Sequence, residues 1–310
     1  MVNLLITSVS NKVPLIQCIR ECLKITDVRI IGGDFNSNII STYFLDDFWE
    51  MPLLKDLAIQ ELIDYCLSKD IYYILPTREE DLLYFSENKE LLLNNKINVM
   101  VSNYESITKT TDKQVFYKEL SEKGIPVIFT SKNIGEINCE YFVVKECEGS
   151  GSRKIGLKLS KNDAIVFAKK LSDPIFQPFI SGEEYSIDLY ITKQQMVKGI
   201  VVRKRTLVID GESQITEVTT HPKLEKVISD AALTLGLEGH VMFQALIRED
   251  GKIFIIECNA RIGGASTLCI YAGLDSFNWW IAECNGENIE NRELFIKPLK
   301  QVRYKRDLII

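Results

Sequence analysis

Three polar side chains at the end of one apolar run are the residues best suited to do chemistry. Residues 253–256 are apolar, and the run ends in Glu257. Asn259 and Arg261 follow at alternate positions. Because alternate residues of a β-strand share one face, these three side chains are predicted to point the same way. Two oxygen donors and a cation suit Mg²⁺ bound with a polyphosphate, although an amphipathic edge strand facing water would show the same alternation.

A second apolar run precedes this stretch and is predicted to pair with it. Residues 241–247 form the run, and residues 248–251 (Arg-Glu-Asp-Gly) are a hairpin turn signal. Gln244 is the one polar residue of the run. A lone glutamine in an apolar strand is costly unless it has a partner. The hairpin brings Gln244 close to Glu257, where a hydrogen bond at a metal site would satisfy it.

Composition limits the class of protein. The chain has 310 residues, of which 46% are hydrophobic and 26% charged, and this length suits two or three subdomains. A net charge of −6 argues against a nucleic-acid binder, which would show a basic face. The first residues lack the positive region and long apolar run of a signal peptide, and no segment approaches a membrane span. We therefore expect a cytoplasmic protein.

The cysteines do not indicate a disulfide or zinc framework. None of the eight cysteines forms a Cys-x-x-Cys pair, and only two histidines are available to complete a metal site. Reduced and mostly buried cysteines are the expectation for a protein of this kind.

The first hundred residues predict a parallel sheet. An apolar strand at 3–7, a helix at 15–23 and a strand at 28–31 open a doubly wound fold. The turn after the first strand lacks Gly-x-Gly-x-x-Gly, so a dinucleotide cofactor is not expected. Asp34 follows the second strand and is interpreted as a cap of its own turn, with a ligand contact as the alternative. Polar residues 77–81 follow a third strand and are either helix caps or ligand contacts.

A different pattern begins near residue 106. A helix starts at residues 111–114 and carries Lys113 in its first turn, where the helix dipole disfavours a cation. This placement suggests a basic group held for an anion, and a lysine facing solvent is the alternative. Lys145 ends a later strand, just before the sequence Gly-Ser-Gly-Ser at 149–152. Backbone amides of such a loop can cradle phosphate oxygens, although most such loops are plain hairpin connections.

Two further segments suit a nucleotide and its co-substrate. Residues 174–180 are extended and apolar, so their backbone groups can bond an adenine edge, and carboxylates in 181–190 can bind ribose hydroxyls. Residues 196–209 form a long strand on which Arg203 and Arg205 share a face. We interpret this pair as binding a substrate carboxylate or acyl phosphate, with a solvated basic strand as the alternative.

Taken in order, these motifs resemble the ATP-grasp superfamily, in the branch like one half of the carbamoyl phosphate synthase large subunit. The resemblance runs from Asn3 to about Trp280 and is strongest over residues 254–261. It implies an α/β fold, with α+β character in the ATP-grasp part. A Rossmann-like pre-ATP-grasp domain at 1–103 would precede a lid subdomain at 104–180 and a C-terminal subdomain at 181–310 that carries the metal site.

The resemblance also implies roles for individual residues. Phosphate contacts are implied for Lys113 and Lys145, and a mobile lid over them for Gly149, Ser150, Gly151 and Ser152. Adenine contacts are implied for Gln177, Phe179 and Ile180, and a ribose contact for Glu184. Magnesium contacts are implied for Gln244, Glu257 and Asn259, and a contact to the transferring phosphate for Arg261. Phe179 and Ile180 would act through their backbone. Gln244 stands where many relatives have glutamate, so this metal site carries less negative charge.

The implied activity is ATP-dependent joining of a carboxylate to an amine or ammonia through an acyl phosphate. The implied cofactors are ATP and Mg²⁺, with Mn²⁺ as an alternative ion, and the partners are a small carboxylate and an amine rather than nucleic acid or membrane. The alternatives are a regulatory nucleotide-binding protein with this fold, or carbamoyl phosphate synthase-like phosphorylation of a small carboxylate. Trp279 and Trp280 would mark either a homodimer contact or simple core.

Overall fold

The computed structural model describes residues 2–23, 28–149, 154–209 and 211–309. The strands are β1 (Val2–Thr7), β2 (Val28–Asp34), β3 (Asp47–Glu50), β4 (Ile71–Leu75), β5 (Asn98–Val99), β6 (Phe142–Glu146), β7 (Gly156–Leu159), β8 (Pro174–Pro178), β9 (Glu183–Ile191), β10 (Val197–Ile209), β11 (Glu212–Thr219), β12 (Gly239–Ile247), β13 (Ile253–Asn259) and β14 (Lys300–Val302). The helices are α1 (Val13–Cys22), α2 (Ile59–Ser68), α3 (Glu79–Glu87), α4 (Lys89–Asn94), α5 (Tyr104–Thr111), α6 (Lys113–Glu122), α7 (Lys161–Ala168), α8 (Pro222–Thr234), α9 (Thr267–Ala272) and α10 (Ser276–Cys284), with 3₁₀ turns at Ile40–Phe44 and Ile134–Glu136.

The N-terminal part is the parallel sheet that the sequence predicts. Its five strands lie in the order β3-β2-β1-β4-β5, and every pair is parallel. Leu5 of the central strand pairs with Ile31 on one side and Ile74 on the other, and all three are buried. Apolar strands covered on both faces are typical of such sheets.

The polar residues at the carboxyl edge of this sheet mostly hold loops together. Asp34 accepts hydrogen bonds from the backbone N–H of Asn36 (3.4 Å) and of Ser10 (3.1 Å), so it caps its own turn and also the loop after β1. Asp81 accepts from the hydroxyls of Thr7 (3.0 Å) and Ser8 (2.8 Å). The interpretation of Asp34 as a cap agrees with these contacts.

The rest of the chain forms two antiparallel sheets. One has six strands in the order β13-β12-β9-β10-β11-β14, and the other has three in the order β7-β6-β8. Helix α8 packs its apolar side on β9 and β10 of the larger sheet. The small sheet has a separate core with α7, whereas α5 and α6 pack in the large core that joins the N-terminal sheet to the six-stranded one.

The register of β12 against β13 sets the geometry of the predicted metal face. Gln244 lies directly opposite Glu257, and a bulge follows between Gln244 and Ala245. Gln244 is also paired with Ser186 of β9 on its other side. A shift of one residue would turn every side chain of the strand to the opposite face and expose its apolar residues to water. Burial of the apolar side of both strands therefore specifies this pairing.

Helix α6 begins where the sequence predicts. The side chain of Asp112 accepts from the backbone N–H groups of Gln114 (2.7 Å) and Val115 (3.0 Å), which is a standard N-terminal cap. The cap fixes the first turn and therefore the position of Lys113.

A buried charged network joins three strands of the six-stranded sheet to the helices behind it. Asp188 of β9 accepts from the Nε (2.9 Å) and Nη2 (2.6 Å) atoms of Arg203 of β10. Asp188 also lies 3.0 Å from the Nε2 atom of His240 and accepts from the thiol of Cys269 (3.2 Å). Burial alone would raise the pKa of Asp188, but the Arg203 charge and the His240 hydrogen bond outweigh it and hold that pKa below its usual range. Ser276 completes the network at 2.8 Å from the other nitrogen of His240.

Two predictions from the sequence concern the protein surface: a possible contact at Trp279 and Trp280, and the absence of a membrane span. Trp279 and Trp280 are only 1% and 4% exposed and pack beside Tyr190 and Tyr73, so they are core residues and mark no exposed contact surface. No helix within the described ranges combines the length and apolar character needed to cross a bilayer.

We expect Asp188→Ala to destabilise the protein by about 3–5 kcal/mol, because it leaves the buried Arg203 guanidinium without its counter-charge. The matched control is Asp230→Ala, which removes an exposed ion pair with Lys226 on α8 and should cost at most about 1 kcal/mol. Urea unfolding followed by circular dichroism measures both. Equal midpoints for the two variants would show that the buried network does not stabilise the sheet.

Candidate functional site

A cavity of about 780 Å³ lies between the three-stranded and six-stranded sheets. Its size is in the usual range for a bound cofactor or substrate. It is lined by nine of the residues that were predicted to contact phosphate, adenine, ribose or metal: Lys113, Lys145, Gly149, Gln177, Phe179, Ile180, Glu184, Gln244 and Glu257. Ser150, Gly151 and Ser152 lie outside the described residues. The structure therefore brings together groups that are up to 144 positions apart in the chain, from Lys113 to Glu257.

Apolar side chains also line the cavity. They come from the three-stranded sheet (Val143 and Leu157), from the six-stranded sheet (Leu246 and Ile256) and from the segment before β6 (Ile128). The sequence does not single out these residues, because an apolar side chain that faces a ligand looks the same in a sequence as one that faces the core.

Two groups of the predicted adenine-contacting segment already make hydrogen bonds within the protein. The side-chain amide of Gln177 donates to the hydroxyl of Thr130 (2.8 Å), and the backbone N–H of Phe179 donates to the carbonyl of Tyr141 (2.8 Å). The backbone contact implied for Phe179 therefore falls to its carbonyl oxygen and not to its N–H group. Ile180 lines the cavity beside it.

Two buried lysines also line the cavity. Lys113 donates from Nζ to the carbonyls of Cys147 (3.1 Å) and Gly149 (2.9 Å), so the alternative of a lysine facing solvent is wrong. Lys145 is 8% exposed. Burial lowers the pKa of Lys145 to about 8, with the Lys113 charge adding to that effect and the Glu257 carboxylate opposing it. Two neighbouring cations in a buried cavity are suited to bind a polyanion.

The three predicted metal contacts form one hydrogen-bonded group. The side-chain nitrogens of Gln244 (2.8 Å) and Asn259 (3.3 Å) both donate to Oε1 of Glu257. Oδ1 of Asn259 accepts from Arg261 (3.2 Å). The described part of the chain holds no group of three or more histidines, cysteines or acidic residues able to hold a metal. The face offers one carboxylate, and the oxygens of both amides already accept from Arg205 and Arg261. Mg²⁺ at this carboxylate would take most of its ligands from phosphate oxygens and water.

Arg203 and Arg205 lie on one strand face as predicted, but their surroundings differ. Arg205 contacts Glu184 and Gln244 and lines the large cavity. Arg203 is 1% exposed and is held by Asp188, and its Nη1 atom is buried without a hydrogen-bond partner in the described structure. The alternative, a solvated basic strand, is therefore wrong for both arginines, and their proposed role in binding a substrate stays a prediction.

A second cavity of about 200 Å³ opens beside the first and shares Arg205, Gln244 and Glu257 with it. Arg203 and Arg261 also line this smaller space. The Nε atom of Arg261, like Nη1 of Arg203, is buried and without a partner among the described residues. The other guanidinium nitrogens of Arg203 donate to Asp188, and those of Arg261 donate to Ile262 and Asn259. Buried donors are normally satisfied, so Nη1 of Arg203 and Nε of Arg261 are exceptions among the described residues.

Charged residues from the N-terminal sheet edge approach the same place. Glu79, at the start of α3, lies 3.7 Å from Arg261, and burial raises the pKa of Glu79 to about 7 against the opposing Arg261 charge. Burial and the Arg261 charge together lower the pKa of Lys12 to about 8. The sequence marked only a polar cluster at 77–81, and nothing in it pointed to Lys12.

Two known protein families match different parts of the chain. Residues 110–265 match the family described as ATP-grasp domain, and residues 4–100 match the PylC-like N-terminal domain. The chain belongs to the ATP-grasp family. The resemblance drawn from the sequence is confirmed.

Individual ATP-grasp relatives are distant. The carbamoyl-phosphate synthase of Methanobrevibacter smithii is 23% identical over 199 residues, which are 58% of this chain and 53% of that protein. The chain thus spans about half the length of this curated relative. The match supports the predicted likeness to carbamoyl phosphate synthase.

Solved structures share the ATP-grasp fold over nearly the whole chain. Biotin carboxylase from Campylobacter jejuni superposes with a TM-score of 0.72 and 16% identity, covering 95% of this chain and 73% of that one. N5-carboxyaminoimidazole synthetase from Staphylococcus aureus, complexed with ADP, gives 0.74 and 14%, covering 96% and 81%. L-amino acid ligase from Bacillus licheniformis gives 0.69 and 18%, covering 96% and 78%. At these identities the likeness establishes the fold, and the predicted fold class is confirmed.

We expect nucleotide binding to take up a proton near pH 8 and to weaken as the pH rises above that value. Lys145 in the free protein loses its proton near this pH, whereas phosphate charge would hold the proton in the complex and raise its pKa. Affinity is therefore full below pH 8 and falls above it. Isothermal titration calorimetry with ADP, in two buffers of different ionisation enthalpy, counts the proton.

The variant Lys145→Met should lose this proton uptake and bind ADP about 10–100-fold more weakly, as expected for one charge-assisted contact. The exposed Lys226→Met is the matched control. If Lys145→Met kept the wild-type pH dependence, another group would be responsible and Lys145 would not contact phosphate.

Proposed function

We propose that this protein is an ATP-dependent ligase that joins a small carboxylate to an amine or ammonia through an acyl phosphate. The observation that supports this best is the junction of two cavities at Glu257. One cavity is lined by Lys113 and Lys145, and the other by Arg203, Arg205 and Arg261. A nucleotide in the first and a carboxylate in the second would meet at this junction.

The nucleotide would lie along the large cavity. Its adenine would rest against the apolar side chains of the lining, beside Gln177 and the backbone of Phe179 and Ile180. Glu184 would bind the ribose, and the two lysines would bind the phosphates. Gly149, the one described residue of the predicted lid, would lie beside the phosphates. The same proposal divides the chain at 1–103, 104–180 and 181–310, with the six-stranded sheet carrying the metal face.

Magnesium would be held by Glu257 and Asn259, with Gln244 in the same hydrogen-bonded group, and Mn²⁺ could replace it. When bound, the ion neutralises phosphate charge, which is its usual contribution to phosphoryl transfer. The residues around it do no covalent chemistry. They position the phosphates and place positive charge where negative charge develops.

In the first step, a carboxylate oxygen of the substrate attacks the γ-phosphorus, and the bond to the β–γ bridging oxygen breaks to release ADP. Arg203 and Arg261 hold the carboxylate, and Arg205 and Arg261 face the phosphoryl group as it transfers. In the second step, the amine nitrogen attacks the acyl carbon and loses a proton, and inorganic phosphate leaves. The small volume of the second cavity suits a small carboxylate.

A panel of amino acids and other small carboxylates, supplied with ammonium chloride and Mg²⁺, tests the activity through ADP release. We expect at least one carboxylate to stimulate release in the wild-type protein. Glu257→Gln should lower the stimulated rate about 10²–10³-fold, since it removes the negative charge that holds the ion. The control is Glu249→Gln, because Glu249 is exposed in the turn of the same hairpin.

An unstimulated wild-type protein that still binds ADP would favour the regulatory nucleotide-binding alternative. A Glu257→Gln protein with wild-type turnover would remove Glu257 from the site.

The role of Arg203 is tested by Arg203→Lys, which keeps a charge for Asp188 but removes Nη1. We expect the KM for the carboxylate to rise about 10–100-fold, the effect of one charged hydrogen bond, while ADP affinity stays unchanged. Steady-state kinetics with calorimetry separates the two quantities. An unchanged carboxylate KM would mean that Arg203 only supports the sheet.

A further inference from the structure

We propose that Glu79 binds the nitrogen of the amine substrate beside the acyl group and accepts a proton from it. The inference rests on the proposed ligase function and deepens it, because it gives the amine a place at the same site. It is carried by the burial of Glu79, by its distance from Arg261 and by the partners of the neighbouring carboxylates.

Glu79 is a buried carboxylate at the edge of the N-terminal sheet. It is the first residue of α3, after β4, and it is 8% exposed. Its Oε2 atom is buried and has no hydrogen-bond partner among the described residues. Asp81, on the same turn, differs because it accepts from the hydroxyls of Thr7 and Ser8 and so holds loops together. Buried carboxylates are normally hydrogen-bonded, so the state of Glu79 has a reason other than loop structure.

The arginines that line the small cavity show how Glu79 differs from the other carboxylates nearby. Three of them each donate a hydrogen bond to a carboxylate: Arg203 to Asp188, Arg205 to Glu184 and Arg303 to Glu212. Arg261 donates to the carbonyl of Ile262 and to Asn259 instead. Its Nη2 atom lies 3.7 Å from Oε2 of Glu79, which is too far for a hydrogen bond. A third group can bridge two polar atoms at this distance, and Oε2 is able to accept from it.

The charges around Glu79 select the kind of group that it would bind. An ionised carboxylate only accepts hydrogen bonds, so the bridging group must be a donor. Glu79 would repel a second carboxylate or a phosphate, whereas an ammonium ion or an amine offers several N–H groups. Burial has the largest effect on the pKa of Glu79, and the charges of Arg261, Glu257 and Lys113 also act on it, so Glu79 lies near the phosphate-binding groups. An amine at Glu79 would therefore lie next to an acyl phosphate at Arg261.

Glu79 can also take up the proton that the second step releases. An ammonium ion bound there gives one proton to the carboxylate and becomes ammonia. The nitrogen attacks the acyl carbon, the bond from that carbon to the phosphate oxygen breaks, and a second proton leaves the nitrogen with the phosphate. The carboxylate passes its proton to solvent when the product leaves. Burial raises the pKa of Glu79 to about 7, which suits a proton acceptor at neutral pH.

The test varies the amine in the ADP-release assay while ATP, Mg²⁺ and the stimulating carboxylate are saturating. Ammonium chloride, methylamine and glycinamide are the probes, and we expect at least one of them to accelerate release in the wild type. Glu79→Gln removes the charge and keeps the size of the side chain. It should raise the KM for that amine about 10–100-fold, the effect of one charged hydrogen bond, while the KM for the carboxylate stays unchanged. It should also lower the amine-dependent kcat about 10²-fold, because the proton acceptor is lost.

Two further variants make the test specific. Glu80→Gln is the matched control, because Glu80 is the neighbouring acid on the same turn and its side chain is 59% exposed beside Arg78. Its constants should equal those of the wild type. If Glu79→Gln does not fold, Glu79→Asp decides instead. It moves the carboxylate back by one methylene and should still raise the KM for the amine and leave the KM for the carboxylate unchanged.

An unchanged KM for the amine in a folded Glu79 variant would overturn the inference. An equal rise in the KM for the carboxylate would also overturn it, because Glu79 would then act by positioning Arg261. A raised KM for the amine with a wild-type kcat in Glu79→Gln would overturn the proton transfer. A wild-type protein whose ADP release responds to no carboxylate and no amine would instead refute the proposed function, and the inference with it.

Discussion

The pairing of β12 with β13 is the constraint on which the site depends. It sets Gln244 opposite Glu257, and the period of two along β13 places Asn259 on the same face. Arg261 lies two residues beyond the end of the strand and donates to Asn259. The neighbouring strand β9 brings Glu184 to the large cavity and Asp188 to the buried network. Arg203 and Arg205 come from β10, on the other side of β9. A slip of one residue would turn Glu257 into the core and dismantle both cavities.

The distribution of charge explains why the site suits an anion in a chain whose net charge is −6. Some buried cations have counter-charges in the protein, as Arg203 has Asp188 and Arg205 has Glu184. Lys145 lacks a comparable balance, which is why burial lowers its pKa. Groups held in place before the ligand arrives need little reorganisation when charge develops, and this is the usual source of electrostatic catalysis. The network around Asp188 therefore stabilises the sheet and orients a guanidinium at the same time.

The sequence predicts the parts of the fold and site that depend on local pattern. The alternation at 257 and 259, the cap at Asp112 and the parallel opening at β1 and β2 all follow from periodicity or capping chemistry. Contacts between elements that are distant in the chain could not be predicted, because the pairing register of strands cannot be read from local sequence patterns. The pairing of Arg203 with Asp188 is one case, and the approach of Glu79 to Arg261 is another. The burial of Trp279 and Trp280 could not be decided either, since an apolar side chain is equally suited to a core and an interface.

The central claim is that a nucleotide binds between the small sheet and the six-stranded sheet, with its phosphates between the lysines and Glu257. A crystal structure of the protein with AMP-PNP and Mn²⁺, in which anomalous scattering locates the ion, tests it most directly. We predict adenine against the apolar lining beside Gln177, phosphates at Lys113 and Lys145, and anomalous density for the ion at Glu257 and Asn259. A nucleotide bound elsewhere, such as at the carboxyl edge of the five-stranded sheet, would contradict the account.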